Sequence, residues 1–333
     1  MAPLPPLARD LLEALPEPAL LIQAERLLAV NSAAQQLFGR RPVGTDIRLV
    51  IRQPQALAAI LSYRPQELEV TGIGGVDRSW AVTLRVVDGG VLLLRLAEVS
   101  AIRAAEKARV DFVANASHEL RTPLATILGY AETLGDEDLP PDLRKRFAGS
   151  VLQEARRMLR IVQDLMSLSR IEADRFIPPS GRVDVGELLA TAQANAVHLA
   201  EQRQCRLRVF APDDLPAIPG DPAQLLQVLD NLIANALRYG CSPGSAEVSV
   251  KAELDGRYLI ITVRDHGDGI PPEHLPRVTQ RFYRVDEARS RDTGGTGLGL
   301  AIVKHIVERH RGTLDIRSQV GEGTEVRVRL PLS

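Results

Sequence analysis

His118, Glu119 and Thr122 place an imidazole, a carboxylate and a hydroxyl within five residues, in the run Ser117-His118-Glu119-Leu120-Arg121-Thr122-Pro123. An imidazole that is neutral near pH 7 is a nucleophile, and an adjacent carboxylate can take the proton from its second ring nitrogen. Further along, Asn231 and Asn235 stand four residues apart in a helical pattern, although asparagine is a poor helix former; their shared face points to a task. Asp265 is followed by Gly267 and Gly269, a carboxylate beside backbone that a planar ring can approach closely. Gly294-Gly295-Thr296-Gly297-Leu298-Gly299-Leu300 leads into another helical segment, and free amides at a helix N-terminus suit phosphate. This loop has neither the lysine of a P-loop nor the βαβ setting of a dinucleotide fingerprint.

Periodicity positions the histidine. Val113, Ala116, Leu120, Leu124, Ile127, Ala131 and Leu134 recur at steps of three and four, so they share one helix face. His118 then points about 160° from that face, with Thr122 beside it one turn on. A lone histidine so placed is by default only solvated, so its partners decide its role. After the polar turn Gly135 to Asp142, a second stripe follows: Phe147, Val151, Ala155, Met158, Val162, Leu165 and Leu168. Two antiparallel helices with one long stripe each cannot bury both alone, whereas two chains paired as a four-helix bundle can. The helical period is unbroken from Val99, so this helix would carry a twist or shift to His118.

Upstream, residues 9–98 read as short strands at Ala19 to Ile22 and Leu27 to Val30, then Asn31-Ser32 opening a helix to Phe38. A helix Gln55 to Leu61 and strands Glu67 to Thr71, Ser79 to Val87 and Val91 to Val99 follow, the last two joined at Asp88-Gly89-Gly90. The order resembles a PAS domain, with Asn31-Ser32-Ala33-Ala34 and Phe38-Gly39 as its sequence echo. All six histidines and both cysteines lie outside it, which favours dimerisation and signal relay over a His-ligated haem or a cysteinyl flavin. Ile177-Pro178-Pro179-Ser180-Gly181 is a breaker cluster that reads as a hinge. Beyond it come helices Val185 to Glu201, Ala223 to Tyr239 and Leu298 to His310. Strands Arg206 to Phe210, Ala246 to Leu254, Tyr258 to Arg264, Thr313 to Ser318 and Thr324 to Leu330 accompany them, a mixed sheet with helices on one face. The expected fold is multidomain α+β: a PAS-like α/β sensor domain (9–98), a linker helix and antiparallel helical hairpin forming a dimeric four-helix bundle (99–176), and an α/β sandwich (183–333).

The run from Ser117 to Pro123 resembles the phosphoacceptor box of sensor histidine kinases, and further boxes follow in that family's order. Asp230 to Tyr239 is similar to the N box of the GHKL ATPase fold, Asp265 to Ile270 to its G1 box, Arg281-Phe282-Tyr283-Arg284-Val285-Asp286 to its F box, and Gly294 to Leu300 to its G2 box. The resemblance implies ATP and Mg²⁺. Asn235 would hold the metal, Asn231 and Arg238 would face phosphates and Tyr239 would flank the base. Asp265 would accept from the adenine amino group, with Gly267 and Gly269 against the ring. Thr296, Gly297, Leu298 and Gly299 would form the phosphate loop. Phe282 and Tyr283 would pack under a mobile lid, Arg284 would bridge the γ-phosphate to the histidine, and Arg289 and Arg291 in the lid either touch phosphate or are solvated.

By the same resemblance His118 is the phosphorylated nucleophile, Glu119 its base, and Thr122 the residue that orients water for dephosphorylating a response regulator, whose aspartate takes the phosphoryl group. The wording of Pro276 to Glu308 is most similar to the phosphate-regulon branch. Two other classes compete. A GHKL clamp ATPase needs the nucleotide boxes but not the His118 run, and a non-catalytic scaffold needs none of them intact.

With 333 residues, 45% hydrophobic, and a net charge of -1, the chain can bury cores and shows no bulk sign of nucleic-acid binding. Cys205 and Cys241 have neither metal-ligand nor redox spacing, and their scarcity fits a reducing compartment. Apolar runs are broken by charge, as Arg95 breaks Val91 to Val99, so no transmembrane segment is expected in this chain, nor does Pro-rich residue 3 to 6 with Asp10 and Glu13 make a signal peptide. The chain reads as cytoplasmic, or as the cytoplasmic part of a protein anchored upstream.

Overall fold

The computed structural model describes residues 5–75, 78–87, 90–136, 138–174, 177–241, 247–286 and 295–333. The chain forms two units, Met1–Val113 and Ala114–Ser333.

In the first unit, alternating residues build one buried sheet face. β1 (Ala19–Gln23), β2 (Arg26–Val30), β3 (Gln66–Thr71), β4 (Ser79–Val87) and β5 (Val91–Glu98) form an antiparallel sheet in the order β2-β1-β5-β4-β3. Trp80, Val82 and Leu84 of β4 point inward, as do Leu92, Leu94 and Leu96 of β5, with Val82 opposite Leu96 and Leu84 opposite Leu94. α2 (Ser32–Phe38) and α3 (Pro54–Leu61) contribute Ala34, Ala56 and Ile60 to this core, and α1 (Pro6–Glu13) contacts β2. The Asn31-Ser32 helix start holds, and Asn31 does more than cap. Its Oδ1 accepts from the amides of Ala34 and Ala19, both at 2.9 Å, while Nδ2 donates to the carbonyls of Leu15 (3.0 Å) and Glu17 (2.8 Å). One buried side chain thus starts α2 and fixes the segment entering β1. Of the expected hairpin turn, Asp88 and Gly89 lie outside the described residues.

α4 (Ser100–Leu134) contains His118 and passes through Pro123 without ending, and α5 (Pro141–Ala173) is its antiparallel partner. The apolar face of α5 departs from the expected stripe. Ile161, Leu168 and Ile171 are buried, whereas Val162 is exposed together with Leu152, Leu159 and Met166. α5 carries two apolar lines, and the inner one packs on α8 (Gly299–Arg309); a single-stripe reading merges them. On α4, Val113, Leu124 and Leu128 are likewise exposed.

The remaining sheet has the order β11-β12-β10-β9-β7, built from β7 (Arg206–Phe210), β9 (Glu247–Asp255), β10 (Tyr258–Asp265), β11 (Thr313–Gln319) and β12 (Gly323–Pro331). β7 and β9 are parallel and the other pairs antiparallel, with α6 (Val185–Gln202), α7 (Pro222–Tyr239) and α8 packed against it. This is the mixed, helix-covered sheet expected. The two-residue pair β6 (Arg182–Val183) and β8 (Ile218–Pro219) is too short for a periodic signal. The expectation of two unrelated thiols is corrected: Cys205 and Cys241 form a disulfide. Spacing along the chain could not announce it, because they stand 36 positions apart with two strands and a helix between them. No helix among the described residues is long and apolar enough to cross a membrane.

Trp80 is the sole tryptophan and lies in the first unit's core, so its fluorescence reports that unit. Asn31→Ala leaves buried backbone groups unpaired and is expected to lower the unfolding free energy read by Trp80 by about 3 kcal/mol. An unchanged denaturant midpoint would contradict this account of Asn31.

Candidate active site

α7 sets the floor of the site. Asp221 caps it by accepting from the amides of Ala223 (3.0 Å) and Gln224 (3.2 Å), with Pro222 at its first position. Leu225, Leu229, Leu232, Ile233 and Leu237 bury its inner face. Asn231, Asn235, Arg238 and Tyr239 thereby come onto the wall of a cavity of about 610 Å³. Asp265, at the end of β10, closes another wall. Its Oδ1 accepts from the amides of Gly267 (3.0 Å) and Thr324 (3.1 Å), which leaves Oδ2 for a ligand donor. Burial raises its carboxyl pKa, and the two amides pull the other way.

Two close approaches require glycine. A Cβ on Gly240 would stand 2.2 Å from the Cβ of Asp265, and one on Gly267 would stand 2.5 Å from the Cα of Gly240. Gly297 has a φ of +72°, and the amide of Phe282 donates to its carbonyl at 2.8 Å, which ties the phenylalanine segment to the glycine loop. Gly269 and Gly299 line the cavity too, Asn231 donating to the Gly299 carbonyl at 3.5 Å. Gly267 and Leu298 stand behind the lining; Leu298 is fully buried and caps α8.

Thr296 Oγ1 donates to Asp164 of α5 at 2.7 Å and accepts from the Leu298 amide at 3.3 Å. Desolvation raises the Asp164 pKa, opposed by the Thr296 hydrogen bond and by Arg160 and Arg238. Arg238 is pushed down by the same burial.

His118, Glu119 and Thr122 are not on the cavity wall. His118 and Thr122 are exposed on α4 as expected, and Thr122 Oγ1 lies 3.4 Å from the His118 carbonyl. Arg284 makes the connection. It lines the cavity, and its Nη2 donates to both the Gly295 carbonyl and Glu119 Oε2, each at 2.8 Å. Arg157 of α5 donates to the same Oε2 at 3.1 Å. Glu119 is thus held between two buried guanidiniums. Arg289, Arg291 and Gly294 lie outside the described residues.

Arg157, Asp164 and Gly240 were missed. Gly240 had a signal, a glycine directly after a helix. Arg157 and Asp164 had none, because a charged residue in an amphipathic helix reads as solvated face. Among the described residues no group of three or more His, Cys, Asp or Glu is placed to hold a metal; the oxygen donor offered here is the Asn235 amide.

An exposed helical histidine, and a mixed-sheet domain whose asparagine helix, buried aspartate and glycine loop surround one cavity, define a phosphoacceptor hairpin with an ATP-binding domain. Residues 220–333 match the Histidine kinase-, DNA gyrase B-, and HSP90-like ATPase family, 108–174 the His Kinase A (phospho-acceptor) domain and 8–70 a PAS domain. The chain is 41% identical over 236 residues to the phosphate regulon sensor protein PhoR of Pseudomonas aeruginosa, covering 70% of this chain and 52% of that one. It is 37% identical over 268 residues to the sensor-like histidine kinase SenX3 of Mycobacterium tuberculosis (strain H37Rv), covering 80% and 65%. The fold is similar to Acinetobacter baumannii histidine kinase AdeS (TM-score 0.52, 24% identity, 65% of this chain and 98% of that). It is also similar to histidine kinase ThkA, solved with response regulator protein TrrA (TM-score 0.53, 17% identity, 97% and 98%); at these identities the likeness concerns fold alone. The chain belongs to the sensor histidine kinases. It spans between half and two thirds of the length of these curated relatives.

Asp164→Asn keeps a hydrogen-bonding partner for Thr296 and removes the desolvated charge. The raised pKa means that the wild-type carboxyl stabilises the fold when protonated and loses that contribution as pH rises through its folded value. The variant is therefore expected to be more stable near neutral pH than the wild type, with the gap closing as pH falls. Unfolding followed by circular dichroism across pH checks both sign and trend.

Proposed function

We propose that the protein phosphorylates itself on His118 with Mg·ATP and passes the phosphoryl group to an aspartate of a response regulator. The observation that carries this is the hydrogen bond from Arg284, a cavity residue, to Glu119, the neighbour of His118. In this reading Asp265 accepts from the adenine amino group, Tyr239 flanks the base, and Asn231, Arg238 and the amides from Thr296 to Gly299 face phosphates. Mg²⁺ held by the Asn235 amide oxygen would offset phosphate charge. His118 attacks the γ-phosphorus, the N–P bond forming as the bond to the β–γ bridging oxygen breaks, and ADP leaves. Glu119 takes the ring proton, and Arg284 exchanges the carboxylate for phosphoryl oxygens.

The same reading has two chains pairing through the exposed lines of α4 and α5, and Thr122 orienting water for dephosphorylation of the regulator. It divides the chain into the sensor (9–98), hairpin (99–176) and nucleotide (183–333) parts, sets it in the cytoplasm where ATP and regulators are, and takes phosphate-regulon signalling as its setting, as the PhoR similarity suggests. Because Arg284 and Glu119 belong to one chain, we further infer that transfer occurs within a chain. A clamp ATPase would hydrolyse ATP without labelling protein.

The test uses labelled Mg·ATP and acid-labile protein label. His118→Gln should abolish label, and label persisting on that variant would refute the assignment. When His118→Gln and Asn235→Ala chains of distinguishable size are mixed and allowed to exchange subunits, neither should be labelled. Label on the Asn235→Ala chain would refute transfer within one chain while leaving the kinase reading intact. Arg284→Ala is expected to slow labelling by about a hundredfold or more.

A further inference from the structure

Cys205 and Cys241 lie where a covalent bond bears on the nucleotide site. Cys241 follows Gly240, the residue that ends α7 and packs against Asp265 and Gly267. Cys205 directly precedes β7, an edge strand of the sheet ordered β11-β12-β10-β9-β7. Their Cα atoms are 6.0 Å apart, and the disulfide pins the end of α7 to the start of that strand. Tyr239 and Asp265, on either side of this pinned turn, both line the cavity. The amide of Gly240 donates to the Ala236 carbonyl at 2.7 Å, so any shift at Cys241 passes straight into the last turn of α7.

The compartment and three observations set this pair apart from a structural staple. An ATP-consuming domain belongs in a compartment where thiols are kept reduced, and disulfides found there are mostly transient or redox-sensing. Cys205 is nearly buried, yet a groove of about 240 Å³ opens beside it between Val197, Ala200, Gln204 and Leu207, room for a small thiol or disulfide reagent. Cys241 is partly exposed. The chain also has no other cysteine, so exchange within it has a single outcome.

We propose that Cys205 and Cys241 form a reversible redox site whose disulfide holds the nucleotide cleft in its binding shape, and whose reduction loosens the end of α7 and weakens ATP binding. Formation is a two-electron oxidation by a small disulfide such as glutathione disulfide. The Cys205 thiolate attacks one reagent sulfur and releases a small thiol; the Cys241 thiolate then attacks the Cys205 sulfur and releases the second. The protein loses two electrons and two protons, and the reagent gains both as two thiols. A dithiol reverses the exchange. The reducing compartment and the consequence for ATP rest on the proposed function; the thiol count and the amide exchange are read independently of it.

The test compares the full chain after glutathione disulfide and after a dithiol. Thiols are counted by mass spectrometry, amide hydrogen exchange is followed over residues 236–241, and affinity for a fluorescent ATP analogue is measured with Mg²⁺. Reduction should expose two thiols, speed exchange over 236–241 and weaken the analogue at least threefold. The Cys205→Ser/Cys241→Ser double variant should match the reduced protein whatever the treatment, and after glutathione disulfide Cys241→Ser should carry the reagent as a mixed disulfide on Cys205. Failure of the two thiols to pair under the oxidant, or unchanged exchange and affinity on reduction, or tighter binding on reduction, would overturn the proposal. Absence of nucleotide binding in both states, with exchange still redox-dependent, would overturn the ATP reading and leave the redox site standing.

Discussion

The Glu119 carboxylate is the anion on which the site depends. Arg157 and Arg284 both donate to one of its oxygens, and their side chains are only 8% and 7% exposed. Two guanidiniums brought together out of water repel each other and each loses hydration, so the shared carboxylate offsets both costs; removing one partner of such a buried set typically costs about 3–5 kcal/mol. Glu119 itself is 26% exposed, which screens the pairing and keeps it exchangeable. Under the proposed reaction the γ-phosphoryl oxygens become Arg284's anion, and Glu119 is released to take a proton while Arg157 still orients it. Nucleotide arrival and base activation are then one exchange of partners.

That exchange needs an interface that can let go, and α5 supplies one. Its inner line, Ile161, Leu168 and Ile171, is short and lies under α8. Around it the contacts are polar: Ser167 with Gln227, Thr296 with Asp164, Arg281 with Glu172. A narrow apolar line edged by hydrogen bonds has the character of a transient domain interface rather than a continuous core. The outer line, Leu152, Leu159, Val162 and Met166, is exposed and apolar, the character that the proposed pairing with a second copy calls for. Under the proposed pairing, one helix would present a releasable face to the nucleotide domain and an apolar one to the second copy.

Much of this was legible in the sequence because it is local. Alternation in β4 and β5, the helical pattern of α7 and the helix start at Asn31 are set by near neighbours, and the glycine loop and Asp265 motif carry their chemistry in adjacent residues. The rest depends on contacts between distant segments. Asp164 meets Thr296 across 132 residues, and Arg157 meets Glu119 across 38; in its own helix each is an ordinary charged residue. The inner line of α5 lies about one residue round from the stripe that periodicity favoured, because that helix serves two partners and a single-period reading averages them. The cysteine pair was hidden for the same reason, since only the folded sheet brings the end of α7 beside β7.

Pro123 tests how these constraints combine at the histidine itself. A proline within a helix removes the hydrogen bond to the carbonyl four residues back, here that of Glu119, and costs about 3 kcal/mol. α4 continues through it all the same, since the proline ring is buried and the helix is braced on both sides of the break. Arg157 and Arg284 grip the Glu119 side chain below, and the Tyr130 ring stacks on Phe147 of α5 above, with centroids 5.1 Å apart. The backbone ladder is therefore weakest at the turn bearing His118, Glu119 and Thr122, and side-chain contacts define that turn instead. A turn held by exchangeable ion pairs can reorient when Arg284 changes its anion, which an uninterrupted helix would resist.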